Sequence, residues 1–511
     1  MRSPSNALIV AVVAIAGCAK PSASTSAPAA ATFLIRDATV VDGTGAASRI
    51  ASVRVTGDRI VDVGALTPNG DETVIDASRL VLAPGFVDTH SHADGSIFEH
   101  RDALAAVSQG ITTVIVGQDG DSPLPLRDFF ARLGREPAAV NIGSYVGHGT
   151  LRDKVLNGDY KRAATLAEIG RMSELLRQEM KAGALGLSTG LEYDPGIYSA
   201  PAEVLALAKV TAAAGGRYIS HVRSEDREFG KAIDELLTIG REAKLPVQIS
   251  HAKLAMRSLW GRTDSLLRVL DAARASGIDV TADVYPYAYW QSTLTVLFPN
   301  RDFDNRESAM FALREVAAPQ DIVLTAYEPN PAYVGKTVAD VAGLTNRDAA
   351  STLMKLILDA EALSKKTGRS GEHIIAVSMA EPDIEKLIAW PYSNICTDGE
   401  LAGPHPRGFG SFPRVLGRYV RARHVLSLEE AVRKMSSLAA RNVGLVNRGR
   451  IAPGYFADLV LLDPATVLDR ATPAEPQAVS TGITRVWVNG TQVFADGRAT
   501  GALPGTVLLR Q

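Results

Sequence analysis

The sequence predicts an α/β fold: a (β/α)8 barrel of the TIM type, with a small β-sandwich domain formed by both chain ends. Three observations predict it. From residue 81 onward, short β-branched apolar runs alternate with longer stretches of helical period, the pattern of a parallel sheet built from βα units. The chain ends, 33–76 and 457–493, instead carry short alternating runs interrupted by Gly-Asp turns, as in Ser52-Val-Arg-Val-Thr-Gly-Asp-Arg-Ile-Val61. Neither end is long enough to bury a good core alone, so segments 32–80 and 448–511 are expected to pack together.

The 511 residues are 46% hydrophobic and 22% charged, with a formal net charge of −2. Such a chain can bury a large core, is not disordered, and lacks the basic excess that a nucleic-acid partner requires. At the N-terminus, Arg2 precedes an apolar run at 7–16 that is too short to span a bilayer, followed by Ile15-Ala16-Gly17-Cys18. That tetrapeptide resembles a bacterial lipobox, in which Cys18 becomes the lipidated first residue of the mature chain; a plain secretory signal that happens to hold a cysteine is the alternative. Residues 19–31 are an Ala/Ser/Pro/Thr tether. The expectation is therefore a signal peptide at 1–18, export to the periplasm, and attachment to the membrane through a lipid anchor. The one other cysteine is Cys396, so acylation of Cys18 leaves no internal disulfide.

The barrel domain is expected over 81–447, and its strand candidates are 81–87, 112–116, 140–145, 184–188, 217–221, 247–251, 279–284, 373–379 and 394–397. Nine candidates compete for eight places. The last place is given to 394–397, and 373–379 is assigned to an insertion. Between about 291 and 371 the alternation breaks into an extended stretch at 321–326 and a helical one at 349–366. An excursion of that length usually serves as a lid or a substrate-binding subdomain.

The chemistry begins at Ala83-Pro-Gly-Phe-Val-Asp-Thr-His90-Ser-His92. Residues i and i+2 of a strand share a face, so His90 and His92 project together, and two neutral imidazoles can hold a divalent transition metal, Zn2+ above all. His221 and His251 end two later strand candidates, and Asp398 ends the eighth. In a (β/α)8 barrel all strand C-termini open on one mouth, where active sites lie. One histidine at a strand end is more often structural, and Asp398-Gly399 alone is an ordinary turn; four such histidines in order are a metal-site pattern. His148, in Val146-Gly-His-Gly-Thr150, follows the third strand and reads either as a site-lining residue or as part of a tight turn. His100, His373 and His424 read as surface or helix histidines.

Pro84-Gly-Phe-Val-Asp-Thr-His90-Ser-His92, the two strand-end histidines and Asp398-Gly399 resemble the metal-dependent amidohydrolase superfamily. Gly183-Ala-Leu-Gly-Leu-Ser-Thr-Gly190, Ile219-Ser-His221-Val-Arg223-Ser-Glu225, Ser250-His251-Ala-Lys253, Tyr285-Pro-Tyr287, His405-Pro-Arg407 and Ser411-Phe-Pro-Arg414-Val-Leu-Gly417 are similar to its D-aminoacylase branch, the N-acyl-D-amino-acid deacylases. The resemblance covers nearly all of 33–505 and includes a closing Gly454-Tyr-Phe-Ala-Asp458-Leu-Val. It implies metal ligation by His90, His92, His221 and His251, a catalytic Asp398, and carboxylate-binding positions at Lys253 and Tyr285. Arg407 joins these as a guanidinium able to grip a carboxylate in bidentate fashion. Arg223 either does the same or pairs with Glu225.

One departure bears on the metal. Where the branch has Asn-Cys-Gly after the second strand, with the cysteine a ligand, this chain has Gln118-Asp119-Gly120. An anionic ligand then comes from Asp119, in the cysteine's place, or from Glu192 after the fourth strand; Glu192 is the preferred reading, and a structural carboxylate paired with a base is an equal alternative for each. A carboxylate in place of a thiolate widens the preference from Zn2+ to Mn2+ or Co2+, for one ion or two.

The expected function is hydrolysis of N-acyl amino acids, of D configuration, by metal-activated hydroxide with Asp398 as general acid and base. A dipeptidase acting on peptides with a C-terminal D-residue is the nearest alternative, and a lipid-tethered binding protein on an inactive barrel is a third.

Overall fold

The computed structural model describes Met1 and residues 32–368 and 371–511. Cys18, the signal segment and the tether lie outside the described residues.

Eight short parallel strands form the catalytic domain: Phe86–Asp88, Ile111–Val116, Asn141–Ser144 continued by Val146–Gly147, Gly186–Gly190, Arg217–His221, Val247–Ile249, Val280–Val284 and Ser393–Ile395. Each pairs with the next in this order. The eighth meets the first through a parallel bridge between Ser91 and Gly399, with Asp398 N donating to His90 O and His92 N to Gly399 O, both at 2.9 Å. The ring is thereby closed. Tyr145 breaks the third strand, whose first half pairs backward and second half forward. Burial on both faces explains why these strands read as continuous apolar runs.

The helices between them follow local rules. In Leu166–Lys181, Thr165 and Glu168 form a capping box, and Met172, Leu176 and Met180, four residues apart, are the buried stripe against the barrel.

Strand 81–87 divides at Gly85. Val81–Pro84 pairs with Thr32–Val40 and Leu459–Leu462, and only Phe86–Asp88 enters the barrel. Both chain ends meet in one nine-stranded sheet running Arg498–Ala499, Thr491–Ala495, Ile483–Val488, Leu459–Leu462, Val81–Pro84, Thr32–Val40, Arg49–Thr56 and Arg59–Gly64, with Thr73–Asp76 also on Thr32–Val40. Ile35, Val53, Leu82, Leu459 and Trp487 share its apolar core. The first barrel strand thus grows directly out of this sheet, which fixes the start of the histidine motif.

The insertion is wider than 291–371. Its antiparallel sheet has Glu372–Val377 in the centre, between Tyr289–Ser292 and Ile322–Tyr327, and the run at 373–379 falls here and not in the barrel. Helix Ala349–Thr367 begins at Asp348, whose side chain accepts from Ser351 N.

Candidate metal centre

Strand ends deliver the polar groups, and unusual backbone aims them. Asp119, His251 and Asp398 have φ of 52°, 34° and 48°, the left-handed region that non-glycine residues rarely occupy. Each is held by its surroundings. His251 N donates to Asp283 Oδ1 at 2.6 Å, and Gln248 Nε2 holds the other oxygen of Asp283 at 2.6 Å. Gln118 Nε2, donating to the carbonyls of Thr89 and Ile115, anchors the turn that carries Asp119. A Cβ on Gly190 would lie 2.0 Å from the Asp119 carbonyl oxygen, so only glycine at the end of the fourth strand lets that turn come in. Asp88, buried and raised to about 7 by desolvation, receives Thr397 N at 2.9 Å and ties the first strand to the eighth.

Asp119 stands between two histidine pairs. Its Oδ2 is 3.5 Å from His90 Nε2 and 3.6 Å from His92 Nε2; its Oδ1 is 3.5 Å from His251 Nε2, which in turn lies 2.9 Å from His221 Nδ1. Asp398 Oδ1 joins the first pair, 3.2 Å from His92 Nε2. Two donor groups, His90-His92-Asp119-Asp398 and Asp119-His221-His251, therefore share one carboxylate. Glu192 lies beyond His221, with Oε2 2.9 Å from Nε2, and forms a third group with His221 and Glu225. Asp119, not Glu192, occupies the central position, because the left-handed turn and Gly190 bring it inward.

Charge and burial describe a cation site. Burial works against a proton on His90, yet Asp119 and Asp398 raise its pKa well above the ordinary imidazole range, and His92 rises to about 10 for the same reason. Asp119 moves the other way: desolvation pushes it up, but His90 and His251 hold it well below the usual carboxylate range. Both ring nitrogens of His90 and Oδ1 of Asp119 are buried without a hydrogen-bond partner. Each such orphan costs about 1–3 kcal/mol, and a divalent ion among neutral imidazoles and carboxylates satisfies them together. The residues fit a metal.

Around the centre, Arg407 Nη1 is 2.6 Å from Asp398 Oδ2. Burial raises the Asp398 pKa, and Arg407 followed by His90 and His251 overrides it, leaving the carboxyl well below its ordinary value. Tyr285, 2% exposed, has a phenol without a partner, and the Arg407 guanidinium lies 4.9 Å from its ring centroid. Lys253 Nζ is 2.5 Å from Glu225 Oε1 and 2.6 Å from His251 Nδ1. The centre opens on a cleft of about 970 Å³, reached by His92, Asp119, Asp398 and Arg407, and on an inner compartment of about 40 Å³ beside Lys253 and Tyr285.

Two expected site residues are elsewhere. His148 is fully buried, with Nε2 2.9 Å from Glu203, which also pairs with Arg152. It opens the helix His148–Leu156, and that turn carries its ring away from the mouth. Arg223 pairs with Glu235 through two hydrogen bonds of 2.7 and 2.9 Å, not with Glu225 or the cleft. Sequence reasoning missed Glu225 as the partner of Lys253, Asp283 as the support of His251, and Tyr193, whose ring centroid is 4.3 Å from that of His221. Glu225 did carry a signal, four residues past a ligand-type histidine.

The amidohydrolase family profile matches residues 73–494. The N-acyl-D-aspartate deacylase of Alcaligenes xylosoxydans xylosoxydans is 38% identical, over 94% of this chain and 96% of that protein. A crystal structure of D-aminoacylase, described as defining a novel subset of amidohydrolases, superposes with a TM-score of 0.83 at 35% identity, covering 94% of this chain and 99% of that one. The N-acyl-D-glutamate deacylase of Bordetella bronchiseptica, solved with zinc and a phosphonate mimic of the tetrahedral intermediate, gives 0.83 at 36% identity, covering 93% and 99%. With this extent of similarity and a donor set built for a divalent ion, the chain belongs to the amidohydrolase family, as a metal-dependent hydrolase of its D-aminoacylase branch.

Proposed function

We propose that the protein removes the acyl group from N-acyl-D-amino acids, and that His90, His92, Asp119, His221 and His251 hold its metal, with Asp119 shared between the two halves and Asp398 beside them as the proton-transfer group. The observation that carries this reading is Asp119 between two histidine pairs, next to an Asp398 that faces the cleft. A divalent ion held there supplies Lewis-acid activation of water and of the scissile carbonyl. Zinc is the favoured ion. Manganese and cobalt are also accepted, because the oxygen of Asp119 is a harder donor than the thiolate it replaces.

Asp398 takes the proton of the attacking water and returns it to the departing amine nitrogen. Arg407 keeps it ionised for the first step and fixes its second oxygen, so the free oxygen points at the reacting groups. The α-carboxylate of the substrate is held by the Tyr285 phenol, Lys253 and the outer face of Arg407. Glu225 Oε1, 3.1 Å from His251 Nδ1, accepts that ring N–H and leaves Nε2 to the metal side, and Lys253 pairs with Glu225.

Steady-state rates on N-acetyl-D-amino acids, N-acetyl-L-amino acids and L-D dipeptides test the reading. Faster turnover of the N-acetyl-D-amino acids is expected; preference for L-substrates or dipeptides would overturn it.

The location proposed is the periplasm, with the chain tethered through a lipid on Cys18; the lipobox-like Ile15-Ala16-Gly17-Cys18 supports this. Among the described residues no helix is long and apolar enough to cross a membrane. Incorporation of a labelled fatty acid that is lost in Cys18→Ala tests it.

A further inference from the structure

We infer that the N-terminal mouth of the barrel, the face opposite the metal centre, holds a second binding site, which takes a phosphate group between Arg217, Arg441 and the phenol of Tyr145.

The site sits where strands begin. Arg217 and Val247 open the fifth and sixth strands, which lead to His221 and His251 at the other face, and Asp279 precedes the seventh. A cavity of about 390 Å³ lies among them, walled also by Tyr145, Arg274 and Arg441. Arg217 and Arg441 line a second hollow as well, of about 620 Å³, where Arg433, Arg448 and Arg450 join them and, among the described residues, no acidic side chain forms part of the wall. The whole chain has a formal net charge of −2, so this concentration of guanidinium groups is a local feature.

Which of these charges are already neutralised decides where an anion goes. Arg433 pairs with Glu430 through two contacts of 2.7 Å, Arg448 with Asp458, and Arg274 with Asp279 at 3.1 Å while its guanidinium covers the ring of Tyr392. Arg217 and Arg441 have no ion pair and no side-chain hydrogen bond among the described residues. Arg217 is nevertheless half-buried, and backbone sets its place: Gly444, with φ of 80° after the helix Ser437–Val443, comes so close that a Cβ there would lie 2.8 Å from Arg217 Nε. Arg441 belongs to the last turn of that helix.

Tyr145 is an observation independent of the arginines. It is 2% exposed, its phenol has no hydrogen-bond partner among the described residues, and it lines the first cavity. Burial raises its pKa, and the charge of Arg217 is the influence that lowers it. A buried hydroxyl without a partner is disfavoured, and an oxyanion beside Arg217 satisfies it.

In the first cavity three arginines against Asp279 leave two net positive charges. A phosphate monoester carries about 1.5 to 2 negative charges near pH 7, and the guanidinium fork matches its oxygens. A lone carboxylate would leave one positive charge over. The volume admits the phosphate with a small organic group attached. Soluble phosphate esters and phospholipid headgroups share this chemistry.

The test uses the metal-loaded full chain carrying Cys18→Ala, so that no lipid anchor contributes, and two probes: inorganic phosphate, followed by calorimetry, and vesicles of phosphatidylglycerol, followed by co-sedimentation. Combining Arg217→Gln with Arg441→Gln should weaken phosphate binding by roughly 100-fold, Arg441→Gln alone by about tenfold, and Tyr145→Phe by about fivefold. Arg441 is exposed, so its single substitution reads the site even where the pair impairs folding. Phosphate binding that these variants weaken, without vesicle binding, assigns the site to a soluble ester; vesicle binding that they weaken assigns it to a headgroup. Binding of neither probe to the parent chain, or binding undiminished by Arg441→Gln, as phosphate held at the metal centre would show, overturns the inference.

Discussion

The Arg407 guanidinium lies 2.6 Å from Oδ2 of Asp398, while Oδ1 of the same carboxylate faces His92 at 3.2 Å. One oxygen is thus committed to a permanent cation and the other is left for the reaction. Asp398→Asn should lower kcat by roughly 100-fold to 10,000-fold, since it removes the proton acceptor while leaving the four histidines and Asp119. Arg407→Gln removes the first lowering influence on the Asp398 pKa, so that pKa rises and the acidic limb of the kcat/KM profile moves to higher pH. A pH-rate profile checks both; an acidic limb that stays in place would remove Arg407 from this role.

Asp119 and Glu192 should separate in a metal analysis. Asp119→Ala is expected to lose most bound metal, and Glu192→Ala to retain it, because only Asp119 touches both histidine pairs. Asp119→Cys should retain metal and shift preference toward zinc over manganese, as a softer donor does. Gly190→Ala should reproduce the metal loss of Asp119→Ala without removing any donor, since its methyl would displace the Asp119 carbonyl.

The buried His148-Glu203-Arg152 group predicts a stability effect without a catalytic one. Glu203→Ala leaves the Arg152 charge buried and unpaired, which costs about 3–5 kcal/mol. Denaturant unfolding should report that loss, while kcat/KM of the folded variant stays near wild type. A selective fall in kcat would return His148 to the site.

Stability should also depend on pH through Glu372, where the insertion sheet receives Leu294 N at 2.7 Å. Burial raises this carboxyl from 4.5 to about 7. Between these values the folded chain holds a proton that the unfolded chain has released, so the stabilisation is complete below about 4.5 and is lost as pH rises toward 7. Glu372→Gln keeps an acceptor for Leu294 and should remove that slope, worth at most about 3 kcal/mol. Melting temperatures of both proteins between pH 5 and 8, roughly the window named, check it; equal slopes would place the titration elsewhere.

What was legible in the sequence was what strand periodicity controls. His90, His92, His221, His251 and Asp398 end successive buried runs, and strands that run parallel bring their ends together. What was not legible depended on turns and on distant pairing. Glu192 is the central carboxylate the sequence favours because it follows a recognisable strand, whereas Asp119 reaches the centre through a left-handed residue and the missing Cβ of Gly190, 71 positions of chain (190 − 119) and two strands away. For Arg223 the sequence offers a substrate carboxylate or the near neighbour Glu225; the structure gives it Glu235, on the helix Phe229–Ala243, and gives Glu225 to Lys253. The glycines around His148 suggest either a tight turn or a loop that lines the mouth, but the segment starts a helix.

The most direct test measures metal content and hydrolysis of N-acetyl-D-leucine on the same samples, from chelated protein through stepwise return of zinc. The account predicts no turnover without metal and activity that appears as the ion is restored, with the L-enantiomer hydrolysed far more slowly. Full activity in metal-free protein, or equal rates on both enantiomers, would contradict it.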